Sequence, residues 1–354
     1  MSIPTEPIGS IPRSSELIEA TRARAAGELS QAELERLQDD AVRDTVRQFE
    51  ETGSPVITDG EQAKPSFATY PVAGMENLAP DGVVIPFADG HTRQLPRLTT
   101  GPFRYVTHAR AYLEPAKRYA TRPVKQAVIS ASALSLLYPL EGIEGYSHDA
   151  FVADLVNEAE SDIRGALEAG AYNVQIDFTE GRLSLKLDPS QQLLRAFVDL
   201  NNQVLERFSP DERKRIGIHT CPGGDQDSTH SADVDYAELL PSLFELKAGN
   251  FYVQLASETD RPRVLEIIRG AIRPGQRVFV GVTDPIDPRV ESPEDVADRV
   301  LEAAEFLGVD QLGTCDDCGF SPFGDDTSTS RDTAFAKIKA RVEGNAMASQ
   351  ELRV

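Results

Sequence analysis

With 354 residues, 40% of them hydrophobic and 26% charged, the chain has the length and balance of a globular protein with a large core. Its formal net charge of -21 repels nucleic acid and anionic membranes, so neither is an expected partner. No run approaches the roughly 20 apolar residues that cross a bilayer, and the N-terminus lacks a basic stretch followed by an apolar one, so the expected address is cytoplasmic.

In chain order, residues 6–12 (EPIGSIP) and 54–61 (SPVITDGE) read as the first two strands. The long segment 71–121 then interrupts the alternation. It contains Asp89–Gly90, a dipeptide suited to a hairpin turn, and is expected to be an insertion on the main domain. Further β-branched runs at 122–130, 172–178, 215–220, 250–256, 277–284 and 310–319 bring the strand count to about eight.

Helical patterns lie between them, at 148–170, 190–208, 233–246 and 293–307. In the first, Phe151, Val152, Leu155, Val156, Ala159, Ile163 and Leu167 recur at helical spacing, and Gly170 can end it. In the last, Ser292 is the expected N-cap, Glu294 and Asp295 suit the positive helix end, and Gly308 is a stop. Alternating β and α units predict an α/β fold, a (β/α)8 TIM barrel forming a single catalytic domain over 1–354. An open doubly wound sheet is the alternative, but no GxGxxG follows an early strand.

Barrels of this kind gather their chemistry at the carboxyl ends of the strands. Those ends carry Asp59, Glu61, Asp177, His219, Cys221, Glu258, Asp284 and Cys318. Any one of them is as readily a helix cap; their presence on nearly every strand points to one polar mouth. His219 and Cys221 are two apart at the end of a strand, so they face the same side and can bind one ion. Imidazole and thiolate together suit zinc. Alone, HxC is a weak signal, because a buried cysteine is usually a small hydrophobe. Cys318 at a second strand end strengthens it.

Three cysteines cannot make a disulfide framework, and a metal or thiol role is more natural. Cys315 and Cys318 also spell CxxC, which leaves redox chemistry or a closed structural zinc site as alternatives. The closed site would need both to face one ion, although side chains three apart on a strand point opposite ways. His230 reads as a surface histidine in a loop leading to a helix, with proton donation as its alternative. In the loop 319–332, Ser330 or Thr329 is expected to cap a helix starting near Arg331, and Arg331 is a candidate contact for an anionic substrate group.

With these motifs in place, the chain resembles the catalytic barrel of cobalamin-independent methionine synthases in a short, single-barrel form. The resemblance covers nearly the whole chain. It rests on EPIGSIPR, VITDGE, VQIDFTEG, GIHTCPGG, FVGVTDPIDPRVESPEDV and DDCGF, all in the family's order. It implies a zinc-dependent methyltransferase of methionine biosynthesis, transferring a methyl or small alkyl group to homocysteine from a folate or a carrier protein. His219, Cys221 and Cys318 would be zinc ligands. The family's further glutamate falls at Gln254, with Glu258 four residues on. Ser10, Glu61 and Asp177 keep substrate-binding counterparts, and Asp177, Asp284 and Asp287 are candidates to protonate the leaving group.

The chain also departs from the family. Phe178 follows Asp177 where the family has glutamate, Thr69 replaces a second glutamate, and Ile286 replaces a histidine. A zinc with one histidine and two cysteines is also similar to the epoxyalkane:coenzyme M transferases. A lyase or decarboxylase on the same barrel, and a binding protein with a structural zinc, are the competing classes. Oligomeric state stays open.

Overall fold

The computed structural model describes residues 2–354. Six strands form one parallel sheet in the spatial order Leu312–Asp316, Arg277–Thr283, Asn250–Val253, Ile216–Thr220, Val174–Asp177 and Gln126–Ile129. Consecutive strands are neighbours, and helical crossovers connect them, as parallel pairing requires. Helices therefore cover the outer face, and the strands are buried almost end to end.

Residues 6–12 and 54–61, expected as strands, form no ladder; the isolated bridges there are at Thr5, just before the first segment, and at Ile57 in the second. Thr5 pairs with Thr314 at one sheet edge, and Ile57 pairs with Val124 at the other. The reason is in the sequence: Pro7 and Pro12 in the first segment and Pro55 in the second have no N–H to give to a ladder. The two segments then meet each other. Ile11 N–H donates to the Gly60 carbonyl at 3.0 Å, and the Thr58 hydroxyl donates to the Gly9 carbonyl at 2.8 Å. The result is a (β/α)8 barrel whose seam is closed by scattered bonds rather than by a ladder.

The expected helices form at His148–Glu168, Gln192–Leu205, Tyr236–Leu243 and Pro293–Phe306. Ser292 caps the last of them in a reciprocal box with Asp295. Ser330 caps Arg331–Glu351, accepting from Thr333 N–H at 3.0 Å. Helices at Ser15–Ala25, Gln31–Glu51 and Arg110–Tyr119 add to the expected set. No helix among the described residues is long and apolar enough to cross a membrane. The insertion contains the expected hairpin, Val84–Pro86 paired with Thr92–Gln94, and Gly90 takes a left-handed φ of 95° in its turn.

One buried ion pair ties the last strand to both termini. Arg341, on the C-terminal helix, donates from Nε to Asp316 at 2.9 Å and from Nη1 to the Thr5 hydroxyl. Arg341 and Asp316 are almost fully buried, so removing one leaves the other charged and unpaired. Arg341→Ala is expected to destabilise the fold by about 3–5 kcal/mol, read as a fall in the urea midpoint; a midpoint equal to wild type would show that the pair does not hold this edge.

Candidate active site

The carboxyl ends of the strands open on a cavity of about 510 Å³, a size that suits a small-molecule ligand. His219, Cys221 and Cys318 all line it. One donor atom from each lies within 4.8 Å of the other two, and the Cys221 and Cys318 sulfurs are 3.1 Å apart. His219 is on the Ile216–Thr220 strand and Cys221 follows directly after it, so the spacing reasoning holds although the strand has just ended. Both ring nitrogens of His219 are buried without a hydrogen-bond partner in the protein. A buried imidazole with neither nitrogen satisfied is costly. Beside two thiols, it has the donor character of a zinc site. The Cys318 thiol is pushed well above its usual pKa by its contact with Cys221 and by burial.

Cys315 does not join them. It faces the barrel interior against Ile8, Tyr252 and Phe279, its thiol donating to the Phe279 carbonyl at 3.3 Å. Nor does Glu258: it pairs with Arg182 at 3.0 Å. Gln254 has both amide atoms engaged, its oxygen accepting from Arg182 at 3.2 Å and its nitrogen donating to Ser257 at 2.7 Å. No fourth His, Cys, Asp or Glu among the described residues belongs to the group.

The neighbour of Cys318 holds the site in register. Asp317 accepts from the backbone N–H groups of Leu255, Ala256 and Ser257, each at 2.8 Å, and from the Ser257 hydroxyl at 2.7 Å. It thereby ties the last strand end to the turn after Asn250–Val253. Gly281 leaves room for it, since a Cβ there would lie 1.8 Å from the Asp317 carboxylate. Similarly, the CPGG turn needs Gly223 both for its φ of 72° and because His230 packs against it; a Cβ would lie 1.7 Å from the ring.

Asp177, Ser10 and Glu61 all line the cavity. Asp177 pairs in register with His219 and accepts from Gln175 at 2.8 Å. Burial raises its carboxyl to about 6, against the opposing field of His219. The Ser10 hydroxyl accepts from Ser321 N–H at 3.2 Å. Glu61 has a left-handed φ of 57° and is paired at 2.9 Å with Lys64, which is itself buried. Thr69 also lines the cavity. Phe178 is in the apolar core.

Other expectations change. Asp284 is half-buried in a smaller cleft that also touches Asp317 and Cys318, and burial raises its carboxyl. Asp287 is bound to its own neighbour Arg289 at 2.5 Å and lines neither that cleft nor the main cavity. Arg331 is taken up by the Pro12 carbonyl, Gln62, Asp44 and Thr45, so it serves the fold. His230 is buried rather than on the surface.

Sequence reading missed Lys64, Glu180 and Arg93. Lys64 is three residues after Glu61 across a turn whose Lys64 N–H donates to the Glu61 carbonyl at 3.1 Å, which brings the two side chains together. Arg93 comes from the inserted hairpin and grips Asp225, just after the CPGG turn, at 2.5 Å and Asp325 at 2.9 Å. The hairpin thus roofs the cavity, with Ile85 and Phe87 among its lining residues. No local signal marks that contact, which joins residues more than a hundred positions apart.

The chain is similar to known proteins in both sequence and fold. Residues 3–342 match the family described as the cobalamin-independent synthase catalytic domain. A methionine synthase of Saccharolobus islandicus (strain Y.G.57.14) is 23% identical over 99% of this chain and 96% of its own. The uncharacterised protein YxjG of Bacillus subtilis (strain 168) is 25% identical over 95% and 92%. In fold, the chain is similar to a B12-independent methionine synthase from Shewanella sp. W3-18-1 in complex with selenomethionine. The TM-score is 0.77 and the identity 19%, over 100% of this chain and 99% of that one.

His230 gives the site a pH signature. Burial lowers its pKa to about 4, with Lys186 and Arg182 adding to the effect. Below pH 6.5 the unfolded chain takes up a proton that the folded chain refuses. Its contribution is therefore present above pH 6.5 and is lost as the pH falls towards about 4. His230→Gln is expected to lose about 3 kcal/mol less than wild type between those pH values, measured by urea unfolding at each pH; parallel curves would refute the assignment.

Proposed function

The chain belongs to the cobalamin-independent synthase catalytic-domain family, and from that premise we propose that it transfers a methyl or other small alkyl group to a thiol, with zinc held by His219, Cys221 and Cys318. The observation that carries this reading is the donor trio itself: one imidazole with both nitrogens unpartnered and two adjoining thiols, all lining one cavity. When bound, zinc supplies the positive charge that keeps a substrate thiol ionised, and hence nucleophilic, at neutral pH.

The protein's own groups prepare this chemistry. Gly223 N–H donates to the Cys221 sulfur at 3.4 Å and steadies it. Phe178 N–H donates to the His219 carbonyl at 2.8 Å and fixes the strand end. Arg182 keeps Gln254 and Glu258 away from the trio, so only three protein donors compete with an incoming sulfur. Ser10, Glu61 and Asp177 are the substrate contacts in this reading. Selenomethionine, held by the Shewanella relative, is the selenium analogue of the thioether that methyl transfer to homocysteine produces. With homocysteine as acceptor, the reaction belongs to methionine formation in the cytoplasm, with a folate or a carrier protein as donor.

A second reading of the acceptor follows from one observation. Glu61 is already neutralised by Lys64 at 2.9 Å, and Phe178 is apolar where the family has glutamate. An acceptor thiol without an ammonium group, as in the epoxyalkane:coenzyme M transferases, meets less competition there.

Two measurements test the proposal. Purified protein is expected to hold about one zinc per chain, and Cys221→Ser and Cys318→Ser are each expected to lose metal retention and alkyl transfer together. In the cobalt-substituted protein, an added thiol is expected to shift the visible spectrum; homocysteine and 2-mercaptoethanesulfonate distinguish the two acceptor readings. A spectrum unmoved by any thiol would mean a closed, structural site.

A further inference from the structure

We propose that Glu180 is a catalytic residue: it delivers a proton to the atom that leaves the alkyl group, a role that rests on the thiol-alkylation reading above. Glu180 opens the helix Glu180–Leu187, after the strand that ends at Asp177. It is buried and lines the same cavity as the His219, Cys221 and Cys318 trio. Its two carboxyl oxygens are treated differently. Oε1 accepts the hydroxyls of Ser130, at 2.5 Å, and Ser132. Oε2 is buried with no hydrogen-bond partner in the protein. No Lys or Arg pairs with it, unlike Glu61 and Glu258 in the same region.

An oxygen of this kind carries a proton more readily than a charge. The surroundings agree. Ile129, Ala133, Leu136 and Leu183 line the cavity with it. Ser132 is held in turn by Asn201 at 2.6 Å, and the field of the Asp177 carboxylate also favours the protonated form of Glu180. Burial is the main cause that raises its carboxyl to about 7, so both forms are populated near neutral pH, as a general acid requires.

The step balances. A sulfur–carbon bond forms as the bond from the alkyl carbon to the donor atom breaks. The electron pair stays on the donor atom, which takes the proton from Glu180 Oε2. The acceptor thiol releases one proton on ionising, and that proton restores Glu180. Overall, a thiol and an alkyl donor give a thioether and the protonated leaving group.

The competing role is structural: Glu180 fastens the turn at Ser130 and Ser132. Glu180→Gln separates the two, because the amide oxygen still accepts both hydroxyls while the acid is gone. The zinc-loaded enzymes are given the thiol that shifts the cobalt spectrum and two methyl donors. Iodide leaves methyl iodide without a proton; the nitrogen of 5-methyltetrahydrofolate needs one. The variant is expected to keep its methyl iodide rate within about twofold and to lose about 100-fold or more with the folate. The wild-type folate rate should fall as pH rises through about 7, and the variant's should not. Equal losses with both donors, no loss with the folate, or a wild type that accelerates only methyl iodide transfer would each overturn the assignment. A wild type that accelerates neither would sink the thiol-transfer reading itself.

Discussion

The approach of two sulfurs to 3.1 Å, from residues 97 positions apart, is the contact on which the site depends. Nothing local produces it. Cys221 follows the Ile216–Thr220 strand and Cys318 follows Leu312–Asp316, and two other strands separate these in the sheet. Barrel curvature must bring the ends together across the mouth. A slip of one residue in either strand would turn its cysteine to the other face. Register is therefore the constrained quantity, and the structure fixes it with buried polar bonds beside the two cysteines. Asp317 seizes three successive backbone N–H groups at 255–257. Asp316 is held by Arg341 and by the Thr283 hydroxyl at 2.8 Å.

The same logic runs through the barrel interior. Glu6, Lys125, Gln175 and Asp177 form a buried polar line towards the cavity. Lys125 lies 3.7 Å from Glu6 and donates to Gln175 at 2.8 Å, and Gln175 donates to Asp177 at the same distance. Lys125 also lies 4.0 Å from the centre of the Tyr252 ring. Groups buried this deeply are tolerated only when each finds a partner. The line thus fixes the orientation of Asp177 from below, while its other oxygen stays available to the cavity.

Much of this was legible in the sequence because periodicity is a local property. The six ladder strands and the four expected helices follow from apolar spacing, and Ser292 and Ser330 cap helices where hydroxyl residues precede helical patterns. The grouping of His219, Cys221 and Cys318 was legible through HxC at a strand end and a distant DCG. Pairing partners were not. Prolines in 6–12 and 54–61 turned two expected strands into bridged segments, although both still occupy barrel positions. His230, in a polar stretch, looked exposed, but Gly223 gives it a buried seat that only the folded CPGG turn creates. Arg331 looked free because the acceptors that engage it, from Pro12 to Gln62, lie far away in sequence.

The departures from the family pattern make physical sense together. Where the family has a glutamate after the strand-end aspartate, Phe178 joins the core. Two residues later Glu180 places a carboxyl in the cavity from the first turn of a helix, held by serines that follow the Gln126–Ile129 strand. The cavity thus keeps a carboxyl, supplied by the first turn of a helix rather than by a strand end, in a lining that also includes Ile129 and Leu183. Glu61, the other retained acid, is occupied by Lys64, whose amine also donates to the Ala127 carbonyl at 2.9 Å. An incoming ammonium group would have to displace a buried lysine already bound at two points. The electrostatics that mark an amino-acid site are therefore weakened here, while the sulfur and nitrogen donors are intact. In the proposed reading, the groups that would hold a metal and those that would choose the acceptor are separable, and both depart from the family pattern, the first at Gln254 and the second at Phe178 and Thr69.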